Sequence, residues 1–289
     1  MKTVFIAGAT GYLGRHLCAE YQSRGWRVHA LVRNASSAQD LQADALIEAE
    51  ATLSETLTGT MTGCDLVISA LGITRQTDGL DYREVDYAAN LNLLNETQAA
   101  GIRHFAYIHV LNADKMPDVP LVAAKSAFAD ALRQADITST IIAPSGYFSD
   151  MADFLNMARS GRVWLFGTGD LRLNPIHGAD LAKATADAIA ERRPHLDIGG
   201  PDILSHTDIA GAAFRAINKP ARITRLPDWT RRAAIALLPW ITPRRIHGPA
   251  LFFLTAFGME MTGTPHGTRH LADHFADITP GKTESTFDP

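Results

Sequence analysis

The chain has 289 residues, of which 46% are hydrophobic and 20% charged, and its formal net charge is −4. This composition is typical of a soluble globular protein that is long enough to bury a large core. Nucleic-acid binders usually concentrate lysine and arginine on one face, so the acidic balance argues against a nucleic-acid partner. The two cysteines, Cys18 and Cys64, predict no disulfide framework and favour a reducing, cytoplasmic location.

An apolar run at positions 4–7 ends in the sequence Gly-Ala-Thr-Gly-Tyr-Leu-Gly at positions 8–14, and a helical pattern follows. Gly8 suits the tight turn, Gly11 lets the backbone approach a pyrophosphate, and Gly14 lets the helix pack on the strand. The diphosphate would lie on the N–H groups at the positive end of the helix. An ordinary strand-to-helix turn needs only one of these glycines, so the pattern predicts a dinucleotide site.

Strands and helices alternate through the first half of the chain. Gly25 ends the first helix, and apolar runs predict further strands at 26–32, 45–49, 65–72, 104–110 and 139–143. Helices are predicted at 87–100, 123–134 and 180–190. This alternation indicates an α/β fold with a doubly wound parallel sheet, or Rossmann fold, with ligands at the carboxyl ends of the strands.

The alternation weakens after Pro144, and no linker follows. We therefore expect a single interleaved unit over 1–289, with a dinucleotide-binding Rossmann core at 1–145. A smaller, mainly helical lobe at 146–289 would lie over the cleft and bind substrate or a partner.

Two apolar runs near the C-terminus, at 233–241 and 249–261, are shorter than the roughly 20 residues that a membrane-spanning helix requires. Arginine pairs at 231–232 and 244–245 flank these runs, so an amphipathic helix that lies on a membrane surface is an alternative interpretation. A helical cap over the ligand cleft, or a dimer face, is the more ordinary interpretation. The sequence leaves the oligomeric state open.

The residue at the end of the second strand distinguishes the two nicotinamide cofactors. An acidic residue there usually holds the ribose 2′-hydroxyl of NAD, whereas an arginine accommodates the 2′-phosphate of NADP. This chain has Arg33, whose guanidinium can bind a phosphate bidentately, and Arg15 could add to the same charge. Either arginine could instead be a solvated surface residue. The sequence predicts NADP as the cofactor.

Several motifs together resemble an atypical short-chain dehydrogenase/reductase of the NmrA-like and isoflavone-reductase-like branch. They are the glycine turn, Lys125 and the segments 31–33, 69–72, 144–148 and 174–182. The resemblance extends to about residue 190 and is specific as to fold and cofactor. It implies that the cofactor is bound by Gly8, Thr10, Gly11, Tyr12, Leu13, Gly14, Arg33, Ala70, Leu71, Gly72, Lys125 and Ser145.

The catalytic residues of that family are only partly present. In most catalytic members a tyrosine four residues before the lysine protonates the substrate carbonyl, but the matching position here is Leu121, and the expected serine falls at His109 or Val110. Isoflavone-reductase-like enzymes use a lysine without that tyrosine, which keeps hydride transfer open. Lys125 would bind the ribose and act as acid or base if burial lowers its pKa. His109 is an alternative acid, because imidazole titrates near neutrality, or else a histidine at the edge of the core.

Other polar residues have mainly structural interpretations. Asn90 is expected to satisfy buried backbone groups, Asp180 to cap the helix that follows it, and His177 to pack near the cleft. His266 and His270 have the helical spacing of a metal pair but no evident third ligand, so we expect no metal.

Two functions remain open from the sequence. The first is an NADP(H)-binding oxidoreductase that transfers hydride to a small carbonyl, enone or quinone compound. The second is a non-catalytic NADP(H) sensor or complex-assembly factor of NmrA-like type, which the missing tyrosine favours. A sugar-nucleotide-type epimerase or dehydratase is a minor alternative. The expected partner is accordingly a small-molecule substrate or another protein.

Overall fold

A computed structural model describes residues 1–72 and 81–279, apart from the side chains of residues 241 and 244–246. The strands in these ranges are β1 (Thr3–Ala7), β2 (Arg27–Val32), β3 (Ala45–Glu48), β4 (Leu66–Ser69), β5 (His104–Ile108), β6 (Thr138–Pro144), β7 (Val163–Phe166), β8 (Arg172–Leu173), β9 (His195–Gly199), β10 (Leu204–Ser205), β11 (Ile223–Leu226) and β12 (Thr264–Pro265). The α-helices are α1 (Tyr12–Ser23), α2 (Ser54–Leu57), α3 (Asn90–Ala99), α4 (Pro120–Gln134), α5 (Ala152–Arg159), α6 (Gly178–Ala190), α7 (His206–Ala216), α8 (Asp228–Ile241), α9 (Arg244–Ala256) and α10 (Leu271–Asp277).

Eight of these strands form one parallel sheet in the order β12-β9-β6-β5-β4-β1-β2-β3. The strand order reverses between β1 and β4, and a crevice forms beside their carboxyl ends at such a reversal. Residues of β1 and β4 are buried throughout, because helices cover both faces of a parallel sheet. The predicted doubly wound α/β fold is confirmed.

The second half of the chain contributes to both the main sheet and a separate core. α6 packs against α1, and β9 pairs with β6, so both extend the Rossmann layers. A second hydrophobic cluster joins α4 and α5 to α7 and α10. Helix α8 packs against α9, and α9 also contacts α4. Within the described ranges, none of the helices has both the length and the apolar character needed to cross a bilayer.

All three helices predicted at 87–100, 123–134 and 180–190 have starts that differ from the prediction, and α6 begins at Gly178, two residues early. A π-helical segment, Arg83–Ala89, leads directly into α3, so the helix predicted from residue 87 begins earlier. Pro120 occupies the first turn of α4, where its missing N–H costs nothing, and this places the start three residues before the predicted Ala123.

The N-terminal cap of α6 is His177 and not Asp180, so that prediction is wrong. The Nδ1 atom of His177 accepts a hydrogen bond of 3.1 Å from the backbone N–H of Ala179. Asp180 lies in the first turn, where its carboxylate pairs with the Arg269 guanidinium and accepts the backbone N–H groups of Thr268 and Arg269. A carboxylate in this turn also interacts favourably with the helix dipole. Asp180 therefore ties the C-terminal segment to α6.

Candidate cofactor and substrate site

A cavity of about 310 Å³ lies at the carboxyl ends of the central strands. One end is formed by the glycine turn between β1 and α1, and the middle by the residues that follow β4, β5 and β6. The far end is formed by apolar side chains of α9, including Phe252, Phe253 and Phe257 just beyond the helix. One of the interpretations drawn from the C-terminal apolar runs, a helical cap over the cleft, therefore matches the position of α9.

The glycine turn has the geometry that a diphosphate needs. Gly8 has a φ of +75°, and a Cβ there would lie 2.7 Å from the carbonyl oxygen of Ala70. A Cβ on Gly14 would overlap the carbonyl oxygen of Gly8, so only glycine lets α1 pack this closely. Gly11 is the N-cap, with a φ of −72° and no side-chain cap, and it faces the cavity. The uncapped N–H groups of the first turn are available to an anion, so the residues present fit the cofactor.

Most of the predicted cofactor residues meet around this cavity. Its lining includes Gly8, Gly11, Tyr12, Leu13, Gly14, Ala70, Gly72, Lys125 and Ser145. Thr10, Arg33 and Leu71 lie outside the lining, and Arg33 is exposed directly after β2. The Nη1 atom of Arg15 is 2.8 Å from the carboxylate of Asp40. This ion pair is exposed and therefore weak enough for a phosphate to displace it.

Lys125 reaches from α4 to the ends of two strands. Its Nζ atom lies 3.1 Å from Oδ1 of Asp86 and donates to the carbonyl oxygens of Leu71 and Ile108 at 3.4 and 3.3 Å. Burial by itself would lower the pKa of Lys125, but Tyr107 and Asp86 outweigh burial and raise it. The condition under which Lys125 was expected to act as a base, a lowered pKa, is not met. Lys125 is a fixed ammonium group in the cavity wall.

His109 also faces the cavity, and it is neutral near pH 7. Burial, with a smaller contribution from the positive charge of Lys125, lowers the pKa of His109 to about 3. The expectation that this ring titrates near neutrality is therefore wrong. Its Nδ1 atom is buried without a hydrogen-bond partner in the described part of the chain. A neutral imidazole can still donate or accept a hydrogen bond.

Asp150 is a cavity residue that the sequence analysis missed. Its Oδ2 atom accepts the backbone N–H of Tyr147 at 3.1 Å, and burial raises the pKa of Asp150 to about 6. Among the described side chains around the cavity, it titrates closest to neutrality. The three-residue spacing from Tyr147 matches an N-cap and N3 pair, and this was the available signal in the sequence.

Asn90 and His177 have the structural roles expected of them. The side-chain amide of Asn90 donates to the carbonyl oxygens of Val85 and Asp86, and its Oδ1 accepts the hydroxyl of Ser69 at 2.5 Å. Asn90 thereby holds the π-helical segment that carries Asp86. The ring of His177 packs against Phe148, with centroids 5.6 Å apart.

His206 makes the stability of the protein depend on pH. Its buried ring packs on Phe257, and burial lowers the pKa of His206 to about 4, although Glu260 opposes the shift. The unfolded chain binds a proton near the ordinary pKa of 6.5, so stability is lost as the pH falls from 6.5 towards 4.

Between pH 7 and pH 5 we expect His206 to lower the free energy of unfolding by about 2 kcal/mol. Urea unfolding of the wild type and of His206→Phe at both pH values measures this contribution. The variant keeps an aromatic ring but loses the titrating group, so its pH dependence should be smaller by that amount. Equal pH dependence in the two proteins would contradict the assignment.

Comparison with known proteins decides the family. The model of a family described as NAD(P)H-binding matches residues 8–192, which is more than half of the chain. The chain belongs to this NAD(P)H-binding family. The resemblance to atypical short-chain dehydrogenase/reductases of the NmrA-like and isoflavone-reductase-like group is confirmed as well.

Two curated relatives and one solved structure are similar to this chain. The photosystem II assembly factor Ycf39 of Synechocystis is 28% identical over 231 residues, which cover 78% of this chain and 70% of the relative. The chloroplastic divinyl chlorophyllide a 8-vinyl-reductase of Zea mays is 29% identical over 260 residues, and the alignment covers 82% of this chain and 64% of the reductase. The structure of the NADPH-dependent quinone oxidoreductase QOR2 from Escherichia coli is 20% identical, with a TM-score of 0.75, and the match covers 95% and 99% of the two chains.

Proposed function

We propose that the protein is an NADP(H)-dependent reductase that transfers hydride to a small, apolar carbonyl, enone or quinone compound. The observation that carries this proposal is the single cavity that joins the glycine turn to the aromatic side chains around α9, with Lys125 in its wall. A cofactor on the turn and an apolar compound against α9 would lie in one continuous cavity. The nicotinamide supplies the hydride when it is bound.

The apolar class of the substrate follows from the walls of the cavity. Leu121, Met261 and the three phenylalanines line the cavity away from the glycine turn, together with Met151, Leu173 and Ala256. Pockets of this kind bind apolar ligands, and their few polar groups set the orientation. Leu121 occupies the place of the usual tyrosine and supplies shape without a proton.

Lys125 and Asp150 supply the polar chemistry. Reduction of a carbonyl or quinone leaves an oxygen that carries negative charge until it is protonated. The fixed ammonium group of Lys125 can stabilise that charge. Asp150, with its pKa raised to about 6, is protonated in a minority of molecules near neutrality, and this protonated form can deliver the proton. His109 is neutral, so it can make a hydrogen bond to the substrate but does not carry the extra proton that an acid would transfer.

The names of the relatives agree with a reductase. The similar proteins include a vinyl reductase and a quinone oxidoreductase, and the latter has been solved with NADPH. These activities belong to the relatives, and this chain spans only 64% of the vinyl reductase. They support the reaction class of the proposal and leave its substrate to experiment.

Oxidation of NADPH tests the proposal directly. We expect the absorbance of reduced nicotinamide to fall when the protein is incubated with NADPH and a panel of quinones, enones and ketones. The apolar members of the panel should react faster than small polar ketones, because the far wall is aromatic. Tight NADPH binding without oxidation by any member of the panel would contradict a reductase.

The choice of NADP rests on Arg33. We expect NADPH to bind about 10- to 150-fold more tightly than NADH, since a charge-assisted contact to the 2′-phosphate contributes about 1.5–3 kcal/mol. The Arg33→Ala variant should lose this preference while its affinity for NADH stays unchanged. Titration of both cofactors into both proteins by calorimetry measures it, and equal affinities in the wild type would contradict the assignment.

A non-catalytic NADP(H) sensor or assembly factor is the second candidate. Leu121 in place of the proton-donating tyrosine favours it, and so does the similarity to Ycf39, which is a photosystem II assembly factor. The same panel separates the two candidates, because a sensor binds NADPH without consuming it.

A further inference from the structure

The outer face of α8 is apolar, which is unusual for a surface helix. Trp229 is 67% exposed, Leu237 52% and Trp240 85%. At 100° per residue these side chains lie on one side of the helix, whereas the buried Leu238 lies opposite. We call the outward set Trp229, Arg232, Ala236, Leu237 and Trp240 the α8 face. Surface helices normally turn polar side chains to water, and a contiguous apolar patch marks a binding surface.

The charge around the α8 face is positive. Residues 228–259, which contain both α8 and α9, have four arginines and one acidic residue, Asp228, although the whole chain has a net charge of −4. Arg232 is itself on the face, and its side chain is 77% exposed although it pairs with Asp228 at 2.9 Å. Asp228 also pairs with Arg231, so its single carboxylate serves two arginines, and an exposed pair of this kind is weak enough for a lipid phosphate to compete with it. A surface that combines tryptophan with arginine complements an anionic lipid surface, because tryptophan prefers the headgroup region and arginine pairs with phosphate.

A second copy of the chain is a poorer match for the same face. A two-fold contact places the same patch of both copies together, so the arginine-rich segments would face each other. Like charges opposed in this way cost free energy, whereas an anionic bilayer neutralises them.

We propose that the α8 face docks on the surface of an anionic lipid bilayer, with Trp229, Leu237 and Trp240 in the headgroup region. α9 packs against α8 and turns Phe252 and Phe253 into the cavity. The docked protein would hold the aromatic end of its cavity close to the bilayer. If the proposed reductase function is correct, apolar compounds dissolved in the membrane are then the accessible substrates.

Co-sedimentation of the full chain with lipid vesicles tests this docking. We expect binding to vesicles of phosphatidylglycerol and phosphatidylcholine to be at least about tenfold tighter than to phosphatidylcholine alone, because each arginine near an anionic surface contributes about 1 kcal/mol. Trp229→Ser and Trp240→Ser should each weaken binding by about tenfold, the loss expected for one buried aromatic side chain. Leu53→Ser is the matched control, since Leu53 is 48% exposed and lies outside the C-terminal segment.

NADPH affinity and the circular dichroism spectrum should be the same in all three variants and in the wild type. These two measurements therefore distinguish a loss of vesicle binding from a failure to fold or to bind the cofactor. Vesicle binding unchanged by both tryptophan variants would overturn the proposal, as would the absence of wild-type binding to anionic vesicles. A concentration-dependent dimer that the tryptophan variants abolish, in a protein that ignores vesicles, would instead assign the α8 face to a second copy. None of these readouts requires turnover, so the docking can fail while the proposed function stands.

Discussion

Replacing Lys125 by methionine is expected to lower NADPH-dependent turnover by about 10²- to 10⁴-fold, the usual effect of removing a proton-transferring or charge-stabilising group. The ammonium group is the fixed positive charge in the cavity wall, held by Asp86 and two backbone carbonyl oxygens. Methionine keeps the length and apolar stem of the side chain but removes the charge. Initial rates at saturating NADPH, with the fastest compound of the panel, measure the loss.

The same substitution also affects folding, and the two effects need to be separated. Asp86 is fully buried, so removal of its ammonium partner is expected to cost about 3–5 kcal/mol of stability. The double variant Asp86→Asn, Lys125→Met removes both charges and should recover most of that stability while turnover stays low. Recovery of turnover together with stability would make Lys125 a purely structural residue.

Two control variants complete the design. Lys115→Met removes an exposed lysine outside the cavity and should leave turnover unchanged. Leu121→Ile changes only the shape of the cavity wall and should cost less than about 1.5 kcal/mol in stability, with a small effect on rate. A large loss of turnover in Leu121→Ile would show that wall shape controls the reaction.

Gly11→Val is expected to lower NADPH affinity by about 100-fold or more with little loss of stability. The φ of −72° at Gly11 is open to valine, and the one tight contact of a Cβ there would be with the Gly8 carbonyl oxygen at 3.3 Å, which a shift of a few tenths of an ångström relieves. The added methyl groups would enter the cavity beside the first turn of α1 and displace an approaching diphosphate. Loss of two charge-assisted hydrogen bonds accounts for the size of the effect.

Gly14→Ala is the contrasting variant in the same turn. Its methyl group would overlap the carbonyl oxygen of Gly8, so α1 has to move away from β1. We expect this variant to lose thermal stability as well as NADPH binding, whereas the melting temperature of Gly11→Val should fall much less, because its added Cβ is farther from the Gly8 carbonyl oxygen. Fluorescence titration with NADPH and thermal melts of both variants distinguish a blocked site from a distorted fold. Normal NADPH binding by folded Gly11→Val would place the diphosphate elsewhere.

The central fold could be predicted because its strands are short apolar runs between glycine-rich turns. Strands β9 and β12 escaped prediction for identifiable reasons. β9 exposes His195 and Asp197 at alternate positions near the edge of the sheet, and β12 contains only two residues. These segments adopt strand conformation because they pair with neighbouring strands, and the sequence pattern within a segment does not show which distant segment it pairs with.

Those parts of the candidate site whose geometry is determined by the local sequence could be predicted. Those properties that depend on burial in the folded protein could not. The glycines and Lys125 follow from position after a strand or on a helix. The pKa directions of Lys125 and His109 depend on Asp86 and on enclosure by residues distant in sequence, which no local pattern reports. The residue that caps α6 depends on where the preceding segment ends and the helix begins, and in the structure this residue is His177.

The aromatic wall of the cavity comes from a segment that adds no strand to the main sheet. α8 and α9 lie between β11 and β12, and substitutions at Phe252, Phe253 or Phe257 reshape the space for a substrate while the glycine turn stays fixed. Selectivity and cofactor use can thus diverge independently during evolution. For the proposed reductase, a library confined to α9 and Phe257 is accordingly the compact route to an altered substrate range with an unchanged cofactor site.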